Sequence, residues 1–485
     1  MALGRTGIEH VLRRAGFGAS PDDLKSFEDM STFQLLDFLI DFEEQPDDVD
    51  ANIGNPAYIG VVGRGGAFSP NTNIEDARQR WLFRMVHSRR PLQEKMALFW
   101  HNHFATAYSK ISGAIPAATA TKVLALKPGD LPGPRGQYEM FRAEGMGSFR
   151  DLLIEVARDP AMLIWLDGRN NTRRLPQENF GREIMELFTM GVGNYTEQDV
   201  YAAARVFTGW NLRFVNRADD TQSYYEYAYI PTNHEPTAKT FTFPIYGNGD
   251  TTIPARPAAD GEQDGIDFIT ALAHHPATAR RLARKLWNFF VSEVVTPDEA
   301  TLNAAVSVYL SNGTRIAPLV TFLLRSRDFL SPSMYFTRYS WPVEFAVRAI
   351  KEVGWTGFTV DAVRAPLTAM GQTLFEPPDV AGWELGQGWF STGAMVARMN
   401  YAATLAANQR FNLARAAAEA KDSPESLMNF LLDRLSVAPY DKDPRGDLLT
   451  YAQTVAAWTG SDAQVQAKAA GLTRLIVGSS EYQIV

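Results

Sequence analysis

Residues 78–104 read RQRWLFRMVHSRRPLQEKMALFWHNHF. Trp81 and Met85 stand four apart, as do Met96 and Trp100, with Phe99 alongside. That recurrence is the period of a helix with one apolar face. Pro91 has no N–H to give and clashes with the turn before it. The stretch from Arg78 to Phe104 therefore reads as helical with a break at Pro91.

The same grammar extends in both directions. Ser20 before Pro21 reads as an N-cap with Pro at the first helical position, opening a helix through Leu24, Phe27, Leu36 and Leu39. Residues 43–74 and 128–147 lack periodicity and read as loops. Phe149 to Leu166 is helical with an interruption near Pro160, and Pro176 to Met190 is helical up to Gly191. Thr196 and Asp199 form a capping-box pattern before Val200–Thr208. Strand propensity is confined to 210–262, in Tyr224-Tyr225-Glu226-Tyr227 and Thr240-Phe241-Thr242-Phe243, with a turn at Gly247-Asn248-Gly249-Asp250. Helical patterns return at 265–275, 277–291, 297–311, 315–326, 340–353, 360–370, 391–408, 424–435, 443–459 and 462–476. No fixed-period repeat and no clean linker interrupts them. The expectation is a mainly α fold: one large helical domain over 1–485, with a small β-hairpin or irregular insertion at 210–262.

Composition narrows the function. Of 485 residues 45% are hydrophobic and 21% charged, and ten Trp with 29 Phe supply a large core. A net charge of −8 argues against nucleic-acid binding, which needs a positive field. With no cysteine, disulfides, thiolate catalysis and Cys-ligated metal centres are excluded. No run of about 18 apolar residues spans a membrane. The start, Met1-Ala2-Leu3-Gly4-Arg5, has no apolar leader. The chain as given thus reads as cytoplasmic; an exported protein with its leader removed would look the same.

Four groups of residues could carry chemistry. The first is Phe99-Trp100-His101-Asn102-His103-Phe104. Two His at i, i+2 lie about 200° apart on a helix and converge only if the helix ends there. Neutral imidazole is the commonest metal donor, and the alternative is a buried pair bonded to backbone carbonyls. The second is Asn179, Glu183 and Glu186, at i, i+4 and i+7 on one stripe beside Phe180, Ile184, Leu187 and Phe188. These carboxylates could face a cleft, as in helical carboxylate sites. The alternative is surface pairing of Arg182 with Glu178 and Glu186. Gly181 inside that helix costs about 1 kcal/mol and points to close approach by another element or a ligand. The third is Asn233-His234-Glu235-Pro236 with Lys239, against turn chemistry alone. The fourth is Phe375-Glu376-Pro377-Pro378-Asp379-Val380-Ala381-Gly382-Trp383, a Pro-stiffened loop that either lines a pocket or simply packs. Dinucleotide, Walker, His-Glu-X-X-His and nucleophile-elbow motifs are absent from the sequence.

Several segments carry a resemblance when taken in order. They are His10-Val11-Leu12-Arg13-Arg14-Ala15-Gly16-Phe17-Gly18, the 99–104 block, Asp159-Pro160-Ala161-Met162-Leu163-Ile164-Trp165-Leu166-Asp167, the run from Pro176 to Trp210, the 376–383 loop and Trp389. Together they resemble the bacterial family catalogued as domain of unknown function 1800, over nearly the whole chain. The resemblance implies no settled activity. It implies members that are often exported and often encoded beside a sulfatase-like family, number 1501. His234-Glu235-Pro236 departs from the family's more usual His-Asp-X-Gly. Of the seven His, the family pattern includes His10, His101, His103 and His234.

The leading expectation is an enzyme, hydrolytic or oxidative, acting on envelope or extracellular polymers. Its divalent metal (Zn, Mn or Fe) would be held by His101, His103, Glu183 and His234 and would activate water or a substrate oxygen. Glu183 or Glu186 would act as base, and Arg182 or Lys239 would hold an anionic substrate. His10, Asn179, Asp379 and Trp383 are further pocket candidates. The rival expectations are a binding or accessory protein partnering the sulfatase-like neighbour, and a buried polar network that holds the helical core in register.

Overall fold

A computed structural model describes residues 4–217, 219, 221–354, 358–408, 416–439, 443–454 and 457–485. Helices begin where the sequence supplies caps. Ser20 and Asp23 close a capping box on Pro21–Phe27, and Ser31 with Gln34 closes another on Thr32–Ile40. The single helix expected there is therefore two. Asn73 caps Ile74–His87, and Pro91 starts Pro91–His103. Asp159 ends Phe149–Arg158 and caps Pro160–Trp165. The Thr196/Asp199 box opens Glu197–Val206.

The stretch 128–147, expected as loop, contains the helix Gln137–Glu144. Its order comes from distant partners that no local pattern reveals. Tyr138 donates to Glu94, Glu139 pairs with Arg80, and Arg142 pairs with Glu94 and Asp47. Tyr108–Ala114 and Ala117–Ala125 add two helices that the pattern reading passed over.

In the insertion, Trp210–Val215 pairs antiparallel with Tyr224–Tyr229, Trp210 opposite Tyr229 and Val215 opposite Tyr224. The strand expected over 240–243 shrinks to Lys239–Thr240, paired with Thr252–Ile253. Helices then run from Glu262–His274 to Asp462–Val477, close to the spans expected. The helix expected over 443–459 is Arg445–Gln453, and residues 455–456 lie outside the described residues.

Buried apolar side chains from Ile8 to Tyr482 form one cluster around Trp81, Trp100, Trp287 and Trp341. Ions are buried with them, most meeting opposite charges and others, such as Arg14 and Arg398, backbone carbonyls. Arg80, Arg84 and Arg142 meet Asp47, Asp50, Glu94 and Glu139. Lys95 and Arg338 share Glu344.

The first helix, Arg5–Arg14, is tied to the far end of the chain. Arg14 donates to the Val291 and Met334 carbonyls. Arg13 donates to Ser436, whose hydroxyl donates to Glu9 at 2.9 Å. Arg348 reaches the carbonyls of Ser436, Tyr482 and Ile484. No helix among the described residues is long and apolar enough to cross a membrane.

Candidate functional site

The helix carrying His101, Asn102 and His103 stays regular to its end, so the two imidazoles diverge. His101 faces the 374–383 loop. Its Nε2 accepts the Phe375 N–H at 3.0 Å, and Trp383 packs edge-on against its ring. Asn102 Oδ1 accepts the Trp383 N–H at 2.7 Å. Burial, then the charge of Arg78, pushes His101 down to about 3, so it is a neutral acceptor. Trp383 is buried in this joint, while Asp379 is exposed and caps the Ala381 N–H.

His103 looks the other way. Its Nε2 donates to the Phe188 carbonyl at 3.0 Å, and its Nδ1 accepts from Lys285 Nζ at 3.0 Å. Burial, then Lys285, holds it well below the ordinary histidine value.

His234 lies in a third place, inside the insertion. Its Nδ1 donates to the Thr208 carbonyl at 2.8 Å, and its Nε2 faces Asp264 at 3.2 Å. Lys239 donates to the same Asp264 oxygen at 2.6 Å, and Arg256 takes the other at 2.8 Å. Burial acts to raise Asp264, but hydrogen bonds from His234 and Lys239 hold it below the ordinary carboxylate range. His234, Lys239 and Asp264 are fully buried, so this knot fastens the insertion to the helices and meets no substrate. His10 is likewise sealed in, bonded to the Phe329 carbonyl at 2.9 Å and stacked on Tyr335.

The expected metal set is therefore corrected. His101, His103 and His234 occupy three separate environments. Both ring nitrogens of His103 and of His234 are engaged by protein groups, which leaves no lone pair for an ion. No group of three or more His, Asp or Glu among the described residues is disposed to hold a metal. The residues do not fit the divalent ion, and Lys239 is corrected with them, from substrate contact to buried structural cation.

The acidic stripe remains. Glu178–Glu183 is α-helical, but Ile184–Phe188 widens into a π-turn, a distortion that recurs at functional sites. Gly181 is explained by packing: a Cβ there would lie 3.0 Å from both the Ala203 Cβ and the Ala204 nitrogen.

The end of the π-turn leaves carbonyls that need outside donors. Gly191, at φ +85°, donates its N–H to Met185. Arg281 donates to the Leu187 carbonyl at 3.2 Å, and His103 to Phe188. The turn is thus pinned by side chains from two other helices, Pro91–His103 and Pro276–Phe290.

Glu183 and Glu186 are half-buried on this turn. Tyr195 donates its hydroxyl to Glu186, and burial followed by that carboxylate raises Tyr195 to about 12. Glu186 also faces the charge of Arg281. Glu183 has no ion-pair or hydrogen-bond partner among the described residues. Burial, then Glu186, lifts its carboxyl above the ordinary range, against Arg182. Arg182 itself is committed to Glu197 and Glu178 at the surface. Asn179 donates to Asp167 at 3.3 Å.

Arg281, Lys285 and Tyr195 are the functional candidates that the sequence reading missed. A signal existed in the helix Pro276–Phe290, PATARRLARKLWNFF, which has four cations and no acid.

The model of a family described as protein of unknown function (DUF1800) matches residues 10–484, so the chain belongs to that family. No curated protein and no solved structure matches it.

Proposed function

Taking membership of that family as the premise, we propose that this protein is a hydrolase acting on an envelope or extracellular polymer, with Glu183 and Glu186 as its acid–base pair. One observation carries the reading. Among the polar residues of the sequence motifs, Glu183 and Glu186 are a carboxylate pair that is partly open to solvent and not consumed by ion pairs. His101 and His234 are sealed inside by their partners.

Two carboxyls in unlike surroundings divide acid and base work between them. Glu183, whose surroundings favour its protonated form, donates the proton to the departing oxygen. Glu186, oriented by Tyr195, takes a proton from the attacking water, and Arg281 offsets the negative charge that develops. The choice of polymer rests on the export and gene neighbourhood implied by the family resemblance.

The test is product release from purified envelope polysaccharide and peptidoglycan, read as new reducing ends. Glu183→Gln should lower kcat at least 100-fold with an unchanged fold. Wild-type rates in that variant would sink the assignment.

A second reading, an accessory protein for the sulfatase-like neighbour, draws on exposed Leu175, Val192 and Tyr201, at 65%, 76% and 57% accessibility. Stable co-purification with that neighbour, together with no product from any polymer, would favour it.

A further inference from the structure

The four cations of Pro276–Phe290 have different fates. Arg280 and Arg284 reach Glu299, and Arg281 is bonded to the Leu187 carbonyl. Lys285 has no carboxylate within ion-pair distance among the described residues. Its Nζ donates instead to His103 Nδ1, 3.0 Å away. Because His103 commits its Nε2–H to Phe188, Nδ1 is an uncharged lone pair. Lys285 is half-buried, with Arg281 one turn before it. Among the described residues the hydrogen bond to Nδ1 is the one contact here that favours the ammonium form; no carboxylate adds to it, and Arg281 opposes it. Burial and Arg281 bring Lys285 down to about 7, the condition under which lysines become nucleophiles.

We propose that Lys285 is a reactive amine that condenses with an aldehyde or ketone group, and that His103 is its positioning residue. In the neutral amine one N–H stays on His103 Nδ1, which turns the nitrogen lone pair away from the ring. That lone pair attacks the carbonyl carbon. A C–N bond forms as the C=O π pair moves to oxygen, which takes a proton from water. The nitrogen then loses its extra proton to water. The hydroxyl takes a proton from water and leaves as water while the nitrogen pair forms the C=N bond, and the resulting iminium gives up its N–H proton to leave an imine. No oxidant or reductant is consumed. The inference does not depend on Glu183 and Glu186, so it stands or falls apart from the hydrolase reading.

The experiment is limiting formaldehyde with sodium cyanoborohydride on the full chain at pH 7, with mass-spectrometric rates for each lysine. Cyanoborohydride delivers hydride to the iminium and fixes it as an alkylamine. Lys285 is expected to react at least tenfold faster than exposed Lys25 and Lys421. A rate equal to or below theirs overturns the proposal. In folded His103→Gln protein the Lys285 rate should fall toward that of Lys25 while Lys25 is unchanged, and an unchanged Lys285 rate overturns the positioning role. If His103→Gln does not fold, the wild-type rates alone decide.

Discussion

A methyl group on Gly261 would stand 2.1 Å from His234 Cδ2 and 2.3 Å from its Nε2. The backbone there is pressed onto the imidazole, and the His234–Asp264–Lys239 knot gives the ring no room to retreat. Gly261→Ala should lower stability by about 2–3 kcal/mol in urea unfolding. Gly113→Ala, in the helix Tyr108–Ala114 with nothing within 4 Å of the added carbon, should raise it by up to about 1 kcal/mol. Equal effects would contradict the packing. Glu183 makes the complementary case. Its folded-state value is raised, so the folded protein holds that proton more tightly than the unfolded chain does. The resulting stability is present below the unfolded value of 4.5 and lost as pH rises through the folded one. Glu183→Gln should match wild type near pH 4 and exceed it by a few tenths of a kcal/mol at pH 7.5, discounted for solvent screening. A variant more than about 1 kcal/mol weaker at pH 7.5 would make Glu183 structural. At this scale the sequence showed Glu183 and Glu186 as an edge stripe because i, i+3 and i+4 spacing is local. Lys285 stayed hidden because its meaning comes from His103, 182 positions away.

The 374–383 loop is an element without regular structure, held by the helix end it covers. Phe375 sits at φ +61° with its N–H on His101 and its carbonyl accepting from Tyr108 at 2.8 Å. Asn102 receives the Trp383 N–H, and a Cβ on Gly382 would come within 2.4 Å of Asn102 Oδ1. Asn102→Ala would orphan a buried N–H at a cost of about 1–3 kcal/mol. The expected readout is faster protease cleavage within 376–383 with an unchanged far-UV spectrum. Unchanged cleavage would show that the joint does not hold the loop. Helices that announce themselves by caps and period were readable from sequence, as at Thr196 and Pro91. The helix Gln137–Glu144 was not, since its Pro/Gly-rich surroundings mask a segment ordered by remote ion pairs. Likewise His-Asn-His stood out as unusual. Its use as a two-sided clamp depends on partners 274 and 281 positions away for His101 and Asn102, and 85 and 182 away for His103.

Across the whole molecule, charge is stored in the interior. Burial acts to raise Asp47, but Arg142 and Arg84 hold it down at about 2, and Glu139 is held down by Arg80 and Arg142. Depressed carboxylates contribute stability above their unfolded values, near 4, and that contribution is lost as pH falls through the folded ones. Buried His101, at about 3, and His103, held well below its ordinary value, act in the same direction from higher pH, because the unfolded chain takes up their protons near 6.5. Stability should therefore fall already between about pH 7 and 5, and drop by more than about 2 kcal/mol further between pH 4 and 2. Added salt should change this little, because buried pairs are poorly screened. An acid transition that moved strongly with salt would place the responsible charges at the surface. The mainly α class with its small insertion was legible, since helical period repeats along most of the chain. The way its ends meet was not. Arg13 finds Ser436 across 423 positions, and Ser436 finds Glu9 across 427. At a synthesis rate of roughly 5–20 residues per second, the first helix emerges some 20–80 seconds before the segment that covers it. For that interval Arg13 and Glu9 wait without Ser436, the hydroxyl that joins them in the folded protein.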